Sequence, residues 1–208
     1  HAVIDQAGRF LSLLDKRRNK QVLSAPGNDV KFFLDGPAME DAWNIYENYK
    51  RRQVEVFESC SVSVTENNDL RTVIHVHNVG QNIDFAQDIV FYHDIDRIDF
   101  QTCVDWREKN KVMRVYFPTT MNAPYFTSET GFGAYSRPTV GNTKYEKSKF
   151  EVAAHRWVDI SENNYGVALL NDSKYAHDVQ YNTIGMTLRR STAFPAKYPD
   201  IGVHHFTY

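Results

Sequence analysis

The chain has 208 residues with a formal net charge of −2, and 42% of its side chains are hydrophobic and 13% aromatic. A chain of that apolar content can close a packed core, which excludes a disordered tail. Its near-neutral balance leaves no electrostatic footprint for nucleic acid or an anionic membrane surface. No apolar run approaches the roughly 18 residues that a membrane-spanning helix needs.

In chain order, residues 1–10 read HAVIDQAGRF, with neither an initiator Met nor a signal peptide's basic and apolar regions, so a piece of a longer protein is expected. Residues 9–23, RFLSLLDKRRNKQVL, place two apolar runs around a basic centre and predict a hairpin with a solvated tip. Ala25-Pro26-Gly27-Asn28-Asp29 is a turn cluster. Val30 to Leu34 follow as a short strand that stops at Asp35-Gly36-Pro37. Residues 39–49, MEDAWNIYENY, predict a loop with a short helix in which Trp43 and Tyr46 share a face.

From Gln53 to Thr65 the apolar residues alternate, with Val54, Val56, Cys60, Val62 and Val64 on one side, which predicts a strand with one buried face. Asn67-Asn68-Asp69 turns the chain and Leu70 to Val76 returns antiparallel. Gln87 to Trp106 is a long β-rich run, and Lys111 to Phe117 is another strand, closed by Pro118. Residues 119–148 are rich in Thr, Asn, Pro and Gly and read as mostly irregular, a length that marks a functional loop or a missed element. Strands resume at Lys149, and Thr183 to Arg190 is the last clear one. Many short strands with turn signals between them predict an all-β antiparallel sandwich, read as a single domain over residues 1–208.

Cys60 and Cys103 are the only cysteines, and neither has a CxxC neighbour. Two buried thiols in a reducing compartment, hence a cytoplasmic protein, are the expectation. His75 and His77 would share a strand face, as zinc pairs on sheets do, but no third ligand stands at a diagnostic spacing, and solvated histidines are the expected reading. Asp94, Asp96 and Asp99 form an acidic edge with Arg97 as its partner. No GxSxG, P-loop, dinucleotide fingerprint, HExxH or EF-hand pattern occurs.

Residues 131–179 are the densest in polar, aromatic and turn residues. Arg137-Pro138-Thr139, Asn142-Thr143, His155-Arg156-Trp157 and Asn171-Asp172-Ser173-Lys174-Tyr175 alternate there with strand-like runs. Rigid strands presenting several loops to one place are implied. Aromatic rings ringed by Asp, Asn, Arg and His suit carbohydrate, with Arg137, Asn142, Asp172, Tyr175 and His177 in the palette.

At these residues the chain resembles the carboxyl-terminal β-domain of glycoside hydrolase family 38, the retaining α-mannosidases. The matching pieces are GRFLSLLDKRRNKQVL, LDGPAMEDAWNI, RIDFQTCVDWREKNKVMRVYFP, FGAYSRPT, NTKYEKSKFEVAAHRWVDIS, YGVALLNDSKYAHDV, LRRS and DIGVHHFTY, in order along nearly the whole chain. The resemblance implies a large sandwich of the galactose-mutarotase-like type behind an α/β catalytic domain that this chain lacks. It implies that zinc, the nucleophile and the acid/base belong to that missing amino-terminal part. No catalytic or metal-binding residue and no cofactor is therefore expected within this chain.

The partners implied are mannose-containing glycans, through the full-length enzyme, and the catalytic domain itself. Arg137, Asn142, Asp172, Tyr175 and His177 become candidates for substrate or domain-interface contacts. A surface that met the missing domain would also promote self-association of the excised chain. Three places depart from the family pattern: Val140-Gly141 replace a His and a polar or basic residue, Ala176 replaces Gly, and Asp200-Ile201-Gly202 replaces Asp-Arg-Gly. In some members that Arg lies close to the bound sugar. A stand-alone carbohydrate-binding sandwich and an aldose-epimerase-like enzyme stay open as alternatives.

Overall fold

The computed structural model describes residues 1–36 and 39–208; Pro37 and Ala38, where the expected stop and the LDGPAMEDAWNI piece fall, lie outside the described residues. Strands dominate: β1 (Ala2–Ile4), β2 (Phe10–Asp15), β3 (Lys20–Gln21), β4 (Asp29–Leu34), β5 (Gln53–Val54) and β6 (Ser59–Asn67). They continue with β7 (Arg71–Gly80), β8 (Ile83–Tyr92), β9 (Ile98–Trp106), β10 (Lys111–Pro118), β11 (Tyr125–Thr130) and β12 (Gly133–Pro138). A helical turn, α1 (Lys144–Lys147), precedes β13 (Val152–Ala153), β14 (Trp157–Ser161), β15 (Gly166–Leu170), β16 (Ala176–Gln180), β17 (Thr183–Arg190) and β18 (Gly202–Thr207). The all-β antiparallel class expected from sequence is the one observed.

The chain forms two compact units. The first comprises residues His1–Ile4, Arg9–Lys31 and Met113–Arg189. Within it the predicted hairpin is present, β2 pairing β3 at Leu14 with Gln21 and Asp15 with Lys20. Its basic tip is solvated as expected, with Lys16, Arg17, Arg18 and Asn19 exposed, while Lys20 in β3 lies 4.7 Å from the Tyr165 ring centroid and pairs with Glu162. Strands β12, β11, β14 and β15 form one sheet in that order, and β13, β16, β17 and β10 are successive neighbours in another.

The stretch 119–148, expected to be irregular, contains the β11–β12 hairpin, in full register from Tyr125–Pro138 to Thr130–Gly133. The hairpin is legible only through its partners. β11 buries Phe126 and Ser128, whereas Gly133 to Ser136 of β12 are exposed on both sides, so no alternating apolar pattern marks β12.

The second unit comprises Asp5–Gly8, Phe32–Val112 and Arg190–Tyr208. Its centre is a five-stranded sheet in the order β18-β9-β8-β7-β6. The inner face carries Val76, Phe85, Ile89, Phe100, Val104 and Phe206, all buried. Gln87 also lies on that face and donates to Thr102 Oγ1 at 2.9 Å and Tyr208 Oη at 2.8 Å, so its burial leaves no unmet amide proton. Trp106, fully buried, stacks against Phe32 and donates Nε1–H to Ser191 Oγ at 2.6 Å.

Three expectations are corrected in this unit. The strand foreseen over Gln53 to Thr65 is broken into β5 and β6, which pair with different neighbours, β4 and β7. Its buried face is largely open: Val62 and Val64 sit on the core side of the edge strand, yet Val64 is 63% exposed. The short helix is a 3-10 turn, Glu47–Arg51, later than Met39–Tyr49, and Trp43 and Tyr46 are both exposed rather than packed. A further strand, β18, follows Arg190 and pairs with β9 from Gly202–Trp106 to Thr207–Gln101.

Candidate functional site

The loops singled out in sequence all belong to the first unit, and strand register decides which of them meet. β14 pairs with β15 from Trp157–Leu170 to Ser161–Gly166, which sets His155 and Arg156 beside residue 171. Asn171 donates its backbone N–H to Arg156 O at 2.8 Å and its side-chain amide to His155 O at 3.3 Å. Its carbonyl oxygen accepts from Lys174 N–H at 2.6 Å, closing the turn that carries Asp172 and Ser173. Glu129, near the end of β11, binds the same segment: its carbonyl accepts from His155 N–H at 3.2 Å and its carboxylate from Arg156 N–H at 2.8 Å.

Tyr175 completes this cluster. Its carbonyl accepts from Ala154 N–H at 2.8 Å, while its ring stands 5.9 Å from His155 at 87°, an edge-to-face contact. The ring is 60% exposed, so backbone and neighbours fix a side chain that still faces solvent. Asp172 is exposed as well and accepts from Ser173 Oγ at 2.8 Å.

His177 takes a different place from the one a sugar contact requires. It lies in β16 between Val152 and Met186 and is fully buried. Burial pushes its pKa down to about 4, and the nearby Arg114 charge acts in the same direction, so the imidazole is neutral near pH 7. Its Nε2 stands 3.4 Å from the Asn171 amide. Through Asn171 the ring supports the Asp172–Tyr175 turn from below.

Beside His177 lies a buried ion cluster. Arg114 of β10, fully buried, donates to Glu151 and to Asp178, and to Thr187 Oγ1 at 2.8 Å. Thr187 in turn donates to Glu151 at 2.6 Å. The Arg114 guanidinium also lies 5.5 Å from the Tyr116 ring centroid, and burial pushes the Tyr116 hydroxyl pKa up to about 12. A Cβ at Gly185 would stand 2.7 Å from an Asp178 carboxylate oxygen and 3.0 Å from an Arg114 nitrogen, so a glycine there admits the cluster. One cation thus faces two carboxylates under the strands that carry the loops.

Arg137 and Asn142 belong to the other end of the β11–β12 hairpin. Arg137 pairs with Phe126, four residues from Gly133 at the tip, a separation of about 13 Å along the strand. Its guanidinium lies 4.8 Å from the Tyr135 ring centroid and donates to Ser128 Oγ at 3.3 Å. Asn142 donates its backbone N–H to Glu146 at 2.8 Å, extending the capping box in which Thr143 and Glu146 exchange bonds at the start of α1. Those backbone donors hold the Glu146 carboxyl below its usual range. Of the five predicted residues, Asp172, Tyr175 and His177 therefore share one cluster, while Arg137 and Asn142 stand apart from it. Glu129 and Asn171 escaped the candidate set, and so did Phe132, fully exposed in the hairpin turn; only long-range pairing identifies them.

In the second unit His75 and His77 are occupied by strand neighbours, at 2.7 Å from Asp88 and 2.9 Å from Asp84. His75, Asp88, Gln101, Cys103, His205 and Thr207 line a shallow depression of about 300 Å³. Among the described residues no group of three or more His, Cys, Asp or Glu side chains is placed to hold a metal ion. Asp99, part of the expected acidic edge, is buried and ion-paired with Arg97 at 2.6 Å, which holds its carboxyl below the ordinary range. Cys60 and Cys103 are unbridged and half-buried rather than fully enclosed.

The model of the family described as "Glycosyl hydrolases family 38 C-terminal domain" matches residues 1–198. The chain belongs to that family. It is 35% identical over 214 residues to "Alpha-mannosidase G" of Dictyostelium discoideum and 32% identical over 209 residues to "Alpha-mannosidase 2C1" of Homo sapiens. Each alignment covers 99% of this chain and 20% of the relative, so the chain spans about a fifth of their length. The fold is shared with a solved alpha-mannosidase from Enterococcus faecalis V583, at a TM-score of 0.77 and 14% identity, over 99% of this chain and 27% of that one.

Proposed function

We propose that this chain is the carboxyl-terminal β-region of a longer retaining α-mannosidase that hydrolyses terminal α-mannosyl linkages in glycans. It supports the catalytic domain and borders that domain's sugar site. One observation carries this reading: the match to the family's carboxyl-terminal domain runs over residues 1–198, while the chain spans a fifth of its curated relatives. The two units serve that single role as one carboxyl-terminal domain in the cytoplasm.

The site geometry divides the work. Asp172 and Tyr175 are exposed on a turn tied to its neighbours, and they contact the sugar rim or the catalytic domain. Arg137 and Asn142 serve the same interface from the base of the hairpin. His177, buried, is a positioning residue that acts through Asn171. The nucleophile, the general acid/base and the zinc ligands belong to the preceding part of the parent protein.

The purified chain should leave an aryl α-mannoside intact, while the parent protein hydrolyses it. Zinc-dependent release of the aryl group by the chain alone would overturn this division. In the parent, Tyr175→Ala should lower kcat/KM without changing the melting temperature of this region.

A further inference from the structure

A second feature, in the other unit, is absorbed by none of this. Trp43 is 68% exposed and Phe194 is 54% exposed, and their ring centroids stand 6.1 Å apart at 62°. They come from distant segments, so the pair exists only because two loops are held together. Asp41, itself buried, accepts from Ala193 N–H at 2.6 Å and Phe194 N–H at 2.9 Å. Arg190 donates to the buried carboxylate of Asp35 and to the carbonyl of Asn44, the residue after Trp43. Buried carboxylates with such partners are costly to desolvate and specific in geometry. Here that cost fixes the backbones of two exposed rings.

Strain points the same way. Glu40, whose carbonyl accepts from Trp43 N–H at 2.9 Å, has φ +55°. Tyr198, whose N–H donates to Thr192 O at 2.8 Å, has φ +49°. Neither is glycine, and a left-handed backbone at a carboxylate or a bulky aromatic residue persists only where the surroundings over-determine it. Both ring-bearing loops hold one such residue. Exposed apolar rings on loops that are both strained and pinned by buried charge are organised in advance for contact rather than left over from packing.

We propose that the Trp43 indole, oriented by Phe194, is a stacking platform for a pyranose ring, which makes this loop pair a carbohydrate-binding site distinct from the candidate site of the first unit. The size of the surface selects the occupant. Full burial of an aromatic side chain covers about 150–250 Å², so the exposed parts of the two rings offer on the order of 250 Å². A stable protein interface needs about 800 Å² from each partner. One sugar ring, with an apolar face of C–H groups and a rim of hydroxyls, matches the smaller area. Glu40 and Asn44, at exposed positions flanking Trp43, supply acceptors and donors for that rim. Testing a mannoside first rests on the proposed function; the platform itself does not.

The chain has three tryptophans, of which Trp106 is buried and Trp157 half-buried, so the exposed indole reports on this site. The 208-residue protein is titrated with the methyl α-glycosides of mannose and glucose and the methyl β-glycoside of galactose, up to about 100 mM. Tryptophan emission and saturation-transfer NMR are followed. A saturable blue shift with at least one glycoside is expected, with Kd near 1 mM, roughly the −4 kcal/mol of a single weak site.

Trp43→Ala should raise that Kd at least tenfold with an unchanged melting temperature, and Trp43→Tyr should retain binding. No glycoside-dependent change in either readout overturns the proposal, whether or not the parent protein is a mannosidase. An emission shift that follows protein concentration instead of sugar also overturns it, in favour of a protein contact. Equal binding by Trp43→Ala places the sugar elsewhere and overturns it too.

Discussion

The neutral, fully buried His177 makes acid sensitivity a quantitative test of the support beneath the Asp172–Tyr175 turn. In the unfolded chain its imidazole titrates near the ordinary histidine value of 6.5, and in the folded chain burial holds it at about 4. Its folded pKa is depressed, so between those values the unfolded state binds the proton and the folded state does not. Stability from this group is complete above about pH 6.5, declines as pH falls, and is fully lost below about pH 4. The whole effect is about 3 kcal/mol, of which about 2 kcal/mol is lost on going from pH 7.5 to pH 5.0.

Urea unfolding at the two pH values measures the loss in the intact chain and in His177→Gln, which cannot titrate. Other titrating groups contribute to both proteins, so the difference isolates the imidazole. The variant starts less stable but should lose about 2 kcal/mol less than the wild type between pH 7.5 and 5.0. Equal losses would refute a neutral buried His177.

Two other outcomes test the same unit. Arg114→Met removes the cation from between half-buried Glu151 and buried Asp178, so a loss of about 3–5 kcal/mol in urea unfolding at pH 7 is expected. A loss well short of that range would show that packing rather than charge is at stake. Phe132, Leu170 and Tyr175 expose apolar surface on the candidate site of the isolated chain. Its elution volume in size-exclusion chromatography should therefore fall with rising concentration, and a constant monomeric volume would argue against a surface built to be covered.

The all-β class and the β2–β3 and β6–β7 hairpins were legible because their turns carry Asp and Asn between apolar runs. The β6–β7 return at Asn67-Asn68-Asp69 is an instance, with Asn68 accepting from Leu70 N–H at 2.9 Å and Arg71 N–H at 3.0 Å. What failed to show has a common cause. Period-two reasoning assumes one wet face and one dry one, an arrangement that β16, β10 and β12 lack. In β16, His177, Asp178 and Val179 are consecutive and all buried, so His177, a candidate for substrate or interface contact, is enclosed. In β10, Val112 to Val115 are all fully buried, and Arg114, which pattern alone assigns to solvent, is the cation at the centre of the ion cluster. β12 fails in the opposite sense, exposed on both faces from Gly133 to Ser136.

The candidate site was legible as a region and not as a set. Asp172 and Tyr175 belong to the turn that the run Asn171-Asp172-Ser173 announces, but the groups that place them, Glu129 and His177, come from other strands. Arg137 and Asn142 were grouped with them by residue type and the family resemblance, and the hairpin register carries Arg137 to its far end. Loops on a β-framework are positioned by which strands pair, and pairing is a long-range property with only weak local signals. The same holds for Trp43 and Phe194. Each reads singly as an ordinary exposed aromatic residue, and the case for a site begins only once buried Asp41 is seen to hold the backbone of one beside the ring of the other. A buried charge that fixes an exposed side chain is therefore a stronger pointer to function than the exposed side chain itself.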